Sequence, residues 1–158
     1  MFRPLLRTNQ QLSDAQCIQI LTDETRGVLS VTGDDGYPYG MPMNHWYNPA
    51  DGAIYFHCGL TGHRIDALRN DPKVSFCVYN QGERENGGWA YTVHSVIVFG
   101  KIDIMEDPAV IERMIRPLCA KFTQDEDYIE REIRSAIDHT LLLRLTPEHI
   151  CGKRIREA

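Results

Sequence analysis

Apolar positions along this chain recur first at helical spacing, then in short alternating runs, then at helical spacing again. Cys17, Ile18, Ile20 and Leu21 give residues 14–25 an apolar side, and Ser13 and Gln16 ahead of them have the spacing of a capping box. The pattern then changes period. Residues 27–32 (GVLSVT) and 53–58 are rich in β-branched or aromatic side chains, 74–79 (VSFCVY) alternates strictly, and 92–105 sets Val96, Val98, Ile102 and Ile104 on one face. Residues 39–47 read as extended, with Pro42 marking an edge or a bulge. Turns are predicted at 33–36 and 48–52, a short helical stretch at 65–68, and a bend at Gly100. Residues 81–88 hold no apolar side chain and predict a mobile loop. Helical spacing returns with Val110, Ile111, Met114, Ile115, Leu118 and Phe122, behind an Asp107-Pro108 start and with Pro117 predicting a kink. A second late helix is predicted over 125–137, with Ile129, Ile133 and Ile137 in line, and a final strand over 139–146.

Six strands joined mostly by short turns, with helices at the two ends, do not read as β-α-β-α. The fold class is mainly β (α+β), and a small closed or split barrel is the natural solution, because closure removes exposed edges. No repeat or low-complexity tract divides the 158 residues, which suit one domain over 1–158.

Charge narrows the partners. With 22 acidic and 17 basic side chains the formal charge is −5, against the basic face that a nucleic acid needs. No apolar run reaches bilayer-spanning length, and residues 1–11 lack the apolar core of a signal peptide. The five cysteines are scattered, odd in number and never spaced C-x-x-C, so reduced thiols in a cytoplasmic protein are expected rather than disulfides or structural zinc. The six histidines include no H-x-x-x-H or H-E-x-x-H spacing, and no metal site is expected.

Candidate chemistry concentrates in residues 54–66. A strand runs out through Gly59, Leu60, Thr61 and Gly62 into the helix start His63-Arg64-Ile65-Asp66. The glycines let backbone N–H groups approach an anion, Thr61 adds a hydroxyl, Arg64 a cationic fork, His63 a further donor and the helix start its dipole. These groups suit one terminal phosphate. The spacing is not G-x-x-x-x-G-K-[ST], so hydrolysis of a nucleoside triphosphate has no support. An ordinary left-handed turn with a solvated arginine accounts for the same residue types.

A wider set of segments resolves this choice. Gly27-Val28-Leu29-Ser30, Gly36-Tyr37-Pro38-Tyr39-Gly40-Met41-Pro42, Tyr55-Phe56-His57, Gly62-His63-Arg64-Ile65-Asp66-Ala67-Leu68-Arg69, Pro72-Lys73-Val74-Ser75-Phe76 and His94-Ser95-Val96-Ile97-Val98-Phe99-Gly100 occur in that order. In order and spacing the set resembles the pyridoxamine 5'-phosphate oxidase-like FMN-binding split barrels, closest to the nitroimidazole-resistance branch. The resemblance covers roughly residues 21–104, with a looser echo at Gly152-Lys153.

That resemblance implies a six-stranded antiparallel split β-barrel with flanking helices, assembled as a homodimer with FMN at the subunit interface. Met41, Pro42, Met43 and Asn44 would lie along the flavin ring, largely through backbone groups. His57 would sit beside the flavin and supply a proton or orient an acceptor; Thr61, His63 and Arg64 would hold the phosphate; and Ser95 would approach from its own strand. The position of His63 is often lysine in that branch. Histidine is only partly charged near neutral pH, which shifts phosphate binding onto Arg64. Trp89 either covers a flavin ring across the interface or packs as an ordinary barrel residue.

The implied activity is reduction of a small acceptor such as a nitroaromatic, with a nicotinamide nucleotide as electron donor. Alternatives on the same barrel are a non-catalytic flavin- or haem-binding module and a deazaflavin-dependent reductase. Residues specific to vitamin B6 oxidation are not recognisable. Cys58 beside Arg64 raises the possibility of an acidified thiol, but no base accompanies it. Trp46 and Tyr47 read as core or interface residues, and the stripes of the late helices as packing faces.

Overall fold

Ser13 and Gln16 do close a capping box: Ser13 N donates to Gln16 Oε1 at 2.9 Å, and Gln16 N to Ser13 Oγ at 3.3 Å. Helix α1 (Asp14–Asp23) follows. In the computed structural model, which describes residues 1–84 and 87–157, the chain then enters one antiparallel sheet. Its strands are β1 (Arg26–Thr32), β2 (Pro38–Asn44), β3 (Trp46–Asn48), β4 (Ala53–Gly59), β5 (Lys73–Tyr79), β6 (Glu83–Arg84), β7 (Tyr91–Met105) and β8 (Thr140–Glu157). Helix α2 (His63–Asn70) links β4 to β5, while α3 (Pro108–Ala120) and α4 (Glu126–Ala136) link β7 to β8.

The sheet order is β2-β1-β5-β7-β8-β4-β3, with β6 beside β7. Strands β2 and β3 stand at opposite ends of this order, yet only His45 separates them in the chain. One extended segment therefore pairs with β1 through its first half and with β4 through its second, which closes the sheet into a barrel. At the crossing, His45 is fully buried, and its Nε2–H donates to the Leu21 carbonyl at 2.9 Å. The expected six strands are all present. The other two are β3, which continues β2, and β6, a two-residue strand inside the segment read as a loop. Glu85 and Asn86 of that segment lie outside the described residues.

Period-two alternation builds the interior. Leu29, Val31, Met41, Met43, Ile54, Phe56, Phe76, Val78, Val96, Val98, Leu143 and Leu145 share the barrel core with Cys17 and Leu21 of α1 and Ile65 and Leu68 of α2. Outside β4 and β8, the ridge of Ala53, Tyr55 and Leu142 is covered by Ile111 and Leu118 of α3. Ile115 instead turns to Ile129 and Ile133 of α4. No helix among the described residues is long and apolar enough to cross a membrane.

One predicted boundary falls short at a proline. Strand β8 does not stop at Thr146 but runs on through Pro147 to Glu157, pairing with β7 as far as Tyr91. Gly100 faces Pro147 while Phe99 faces His149, leaving Glu148 as an extra residue at the bulge. A bulge is where a strand tolerates a missing N–H. A Cβ on Gly100 would collide with the Thr146 carbonyl. Helix α3 carries Pro117 inside it, as the apolar pattern predicts, and ends at Ala120. In the 33–36 turn, Asp35 as well as Gly36 takes positive φ, 55° and 77°.

Candidate functional site

The barrel is split where β2 and β4 diverge. Residues 56–59 of β4 pair with β8, and β2 pairs with β1, but among the described residues no ladder joins 38–44 to 56–59. Hollows open along this seam. One of about 270 Å³ is lined by Tyr39, Cys58, Gly59, Thr61, Gly62, His63, Arg64 and Ile65. A second of about 340 Å³ is lined by Arg26, Pro42, Met43, Asn44 and His57. The seam thus gathers every predicted site residue except Ser95 and Trp89, with Met41 contributing from behind.

The first hollow has the makings of an anion cradle. A Cβ added at Gly59 or Gly62 would meet nothing within 4 Å, so the backbone there is open to a ligand. Gly62 has φ 122° and caps α2 with no side chain to accept from the first-turn N–H groups. Arg64 is half-buried, with Nε 2.8 Å from the Met41 sulfur, which holds the guanidinium against the floor of the seam. His63 stacks on Tyr39, ring centroids 4.3 Å apart, and its Nε2 lies 3.5 Å from the Asp34 carboxylate. The donors suit a phosphate, with Asp34 an opposing charge at the rim.

The second hollow is bounded by outward-facing groups of β2. Met41 and Met43 are buried in the core, leaving Pro42 and Asn44 on the seam side. Asn44 Oδ1 accepts from Arg26 Nε at 3.0 Å, which fixes the amide. Surrounding protein, and then the charge of Arg64, pull the His57 imidazole below its ordinary pKa. Cys58 corrects the idea of an acidified thiol: burial raises its pKa and outweighs Arg64.

Ser95 and Trp89 are not at the seam of their own chain. Ser95 lies mid-sheet on β7 between Tyr79 and Lys153, and Trp89 is exposed ahead of that strand. Tyr91, beside it, carries Arg84 over its ring at 4.8 Å. Tyr47 is buried, and Trp46 packs against Tyr55 at 5.6 Å. Among the described residues no group of three or more His, Cys, Asp or Glu is placed to hold a metal ion.

Sequence reasoning missed Arg26, Tyr39 and Asp34. Each reaches the seam through the register of β1 against β2 or the return of the 33–36 turn, which local pattern does not encode. It also missed a third hollow of about 240 Å³ between α3 and α4 that reaches Asn44 and His57.

An antiparallel barrel split along a seam, with an anion cradle at one end, defines a class of small ligand-binding barrels. The sequence profile described as pyridoxamine 5'-phosphate oxidase matches residues 13–154, and the chain belongs to that family. No curated protein matches it in sequence. Among solved structures it is similar to a candidate 5-nitroimidazole antibiotic resistance protein from Bacteroides thetaiotaomicron, with TM-score 0.79 and 19% identity over 93% of this chain and 87% of the other. An FAD-binding protein from Mesorhizobium loti gives TM-score 0.69 and 25% identity, covering 92% and 97% of the two chains. A flavocytochrome from Azotobacter vinelandii gives 0.76 and 17%, covering 96% and 72%.

Proposed function

We propose that this chain is an FMN-binding flavoprotein that reduces a small acceptor, such as a nitroaromatic, with electrons from a reduced nicotinamide nucleotide. The observation that carries this reading is the seam itself. The Gly59–Ile65 cradle stands at one end of the free stretch of β2, and Asn44 and His57 stand at the other. Tyr39 to Asn44 spans roughly 17 Å of strand at about 3.4 Å per residue, a length suited to a phosphate, a sugar-alcohol chain and a flat ring system.

In this reading Thr61, His63, Arg64 and the first turn of α2 bind the phosphate. Backbone groups of Met41, Pro42, Met43 and Asn44 support the ring, and Arg26 holds Asn44 in place. Bound flavin would carry two electrons from donor to acceptor; a nitro group that takes two electrons and two protons yields a nitroso group and water. His57, which lines both hollows, hydrogen-bonds and orients the acceptor. A second copy of the chain would bring its Ser95 and Trp89 against the ring, which gives those residues a site their own seam lacks.

Purified protein is expected to be yellow, to release FMN on denaturation and to run as a dimer on gel filtration. Colourless protein that takes up no added FMN would overturn the reading. Mass identification of the released cofactor separates FMN from FAD, deazaflavin or haem.

A further inference from the structure

We propose that the hollow between α3 and α4 binds the acceptor, and that this acceptor is a small, uncharged, flat aromatic molecule. The inference rests on the flavin reading for what lies at the hollow's inner end, and on the hollow's own walls for the ligand. Asn44 and His57 line both this hollow and the β2–β4 seam, so the two cavities are neighbours across these side chains. A ligand held between the helices would have one edge at His57.

The hollow exists because the apolar stripe of α3 is shared between two neighbours. Leu118 turns to β4 and β8, Ile115 turns to Ile129 and Ile133 of α4, and the space between is left unfilled. Its walls are aliphatic: Leu118 and Ile129 are 1% exposed and Ile133 5%. At the outer end, Phe122 and Tyr128 remain 41% and 46% exposed although both line the hollow. Exposed aromatic faces beside an apolar slot are suited to stacking a ring.

Size and charge define the class of ligand. A dry cavity of about 150 Å³ accepts benzene. The roughly 240 Å³ here admits a substituted single ring or a small fused pair. Among the described residues no lysine or arginine lines the hollow, and Glu132 does, so an anion is disfavoured. The Thr140 hydroxyl is already committed to the Ala136 carbonyl at 2.8 Å. Cys119 is an unpaired thiol in the wall whose pKa burial raises, so it serves as an apolar surface and not as a nucleophile.

The test is a titration of the oxidised, FMN-loaded protein with nitrobenzene, without electron donor, followed by the flavin absorption band. Nitrobenzene should bind, and 4-nitrobenzoate should bind at least about tenfold more weakly because its charge enters an apolar slot. Ala136→Leu, which fills the hollow, should abolish nitrobenzene binding while FMN affinity holds. Phe122→Ala, at an exposed position, should weaken nitrobenzene by roughly threefold to tenfold. Unchanged nitrobenzene affinity in both variants would overturn the proposal. Loss of FMN from Ala136→Leu would also overturn it, by giving the hollow to the flavin ring. Should the wild-type chain take up no FMN, the functional reading fails; calorimetry of nitrobenzene with the flavin-free protein and the same variants then decides on the pocket separately.

Discussion

His63 lies flat against Tyr39, their planes 10° from parallel, and turns its Nε2 towards the Asp34 carboxylate 3.5 Å away. The histidine of the candidate anion cradle is thus held by an aromatic ring and faces a carboxylate. Asp34→Asn removes the carboxylate that faces His63. FMN should bind roughly twofold to fivefold more tightly, a modest gain because Asp34 is exposed. Fluorescence titration measures it, and weaker binding would refute the assignment.

Arg64 is the permanent cation of the cradle. Arg64→Ala should weaken FMN by roughly tenfold to a hundredfold, the effect of one charge-assisted hydrogen bond. The thermal midpoint of the FMN-free protein should stay near wild type. Equal FMN retention by the variant would exclude the phosphate role.

His45 sets an acid limit on stability. Burial, then the charge of Lys121, lowers its pKa from 6.5 to about 3 in the fold. Between these values the unfolded chain binds a proton that the folded chain refuses. Stability should therefore fall as pH drops below 6.5, by up to about 1.4 kcal/mol per pH unit. His45→Gln keeps a donor for the Leu21 carbonyl and removes the titration. Urea midpoints at pH 5 and 7 should differ more for the wild type than for the variant; equal differences would refute this.

Lys121 acts at the alkaline end. Burial lowers its amine from 10.5 to about 8 in the fold, against the pull of Asp23 and Glu24. Unfolded chains hold the extra proton between these values, so stability should rise with pH across that window. Lys121→Met should flatten the rise in a urea series from pH 8 to 10.

Gly100→Ala should destabilise the barrel by about 2 kcal/mol or more, because a Cβ there meets the Thr146 carbonyl across the bulge. Chemical denaturation measures the loss; wild-type stability would show that the bulge opens freely.

Strands β1, β5 and β7 were legible because each buries one face, so alternation marks them directly, whereas β4, buried on both faces over Ala53 to Phe56, was legible as a short apolar run after the 48–52 turn. Helices α1 and α3 announced themselves by caps at Ser13 and Asp107, and α4 by Ile129, Ile133 and Ile137 at helical spacing. The far half of β8 was not legible, since Pro147 reads locally as a stop and only Gly100 across the ladder makes room for it. The cradle loop could be read from Gly59 to Arg64, whereas Arg26, Tyr39 and Asp34 arrive through pairing and turn geometry that residue order alone does not carry. The α3–α4 hollow escaped for a similar reason: a stripe shows which residues seek burial but not how completely two helices mesh.

The uninterrupted run from β2 through His45 into β3 makes the ligand-facing strand and the clasp of the barrel one mechanical piece. Met41 to Asn44 pair with β1, and Trp46, Tyr47 and Asn48, which continue the same segment, form the rungs to β4. Amide exchange at those three residues should consequently slow when the seam is occupied, reporting occupancy from a position that touches no ligand.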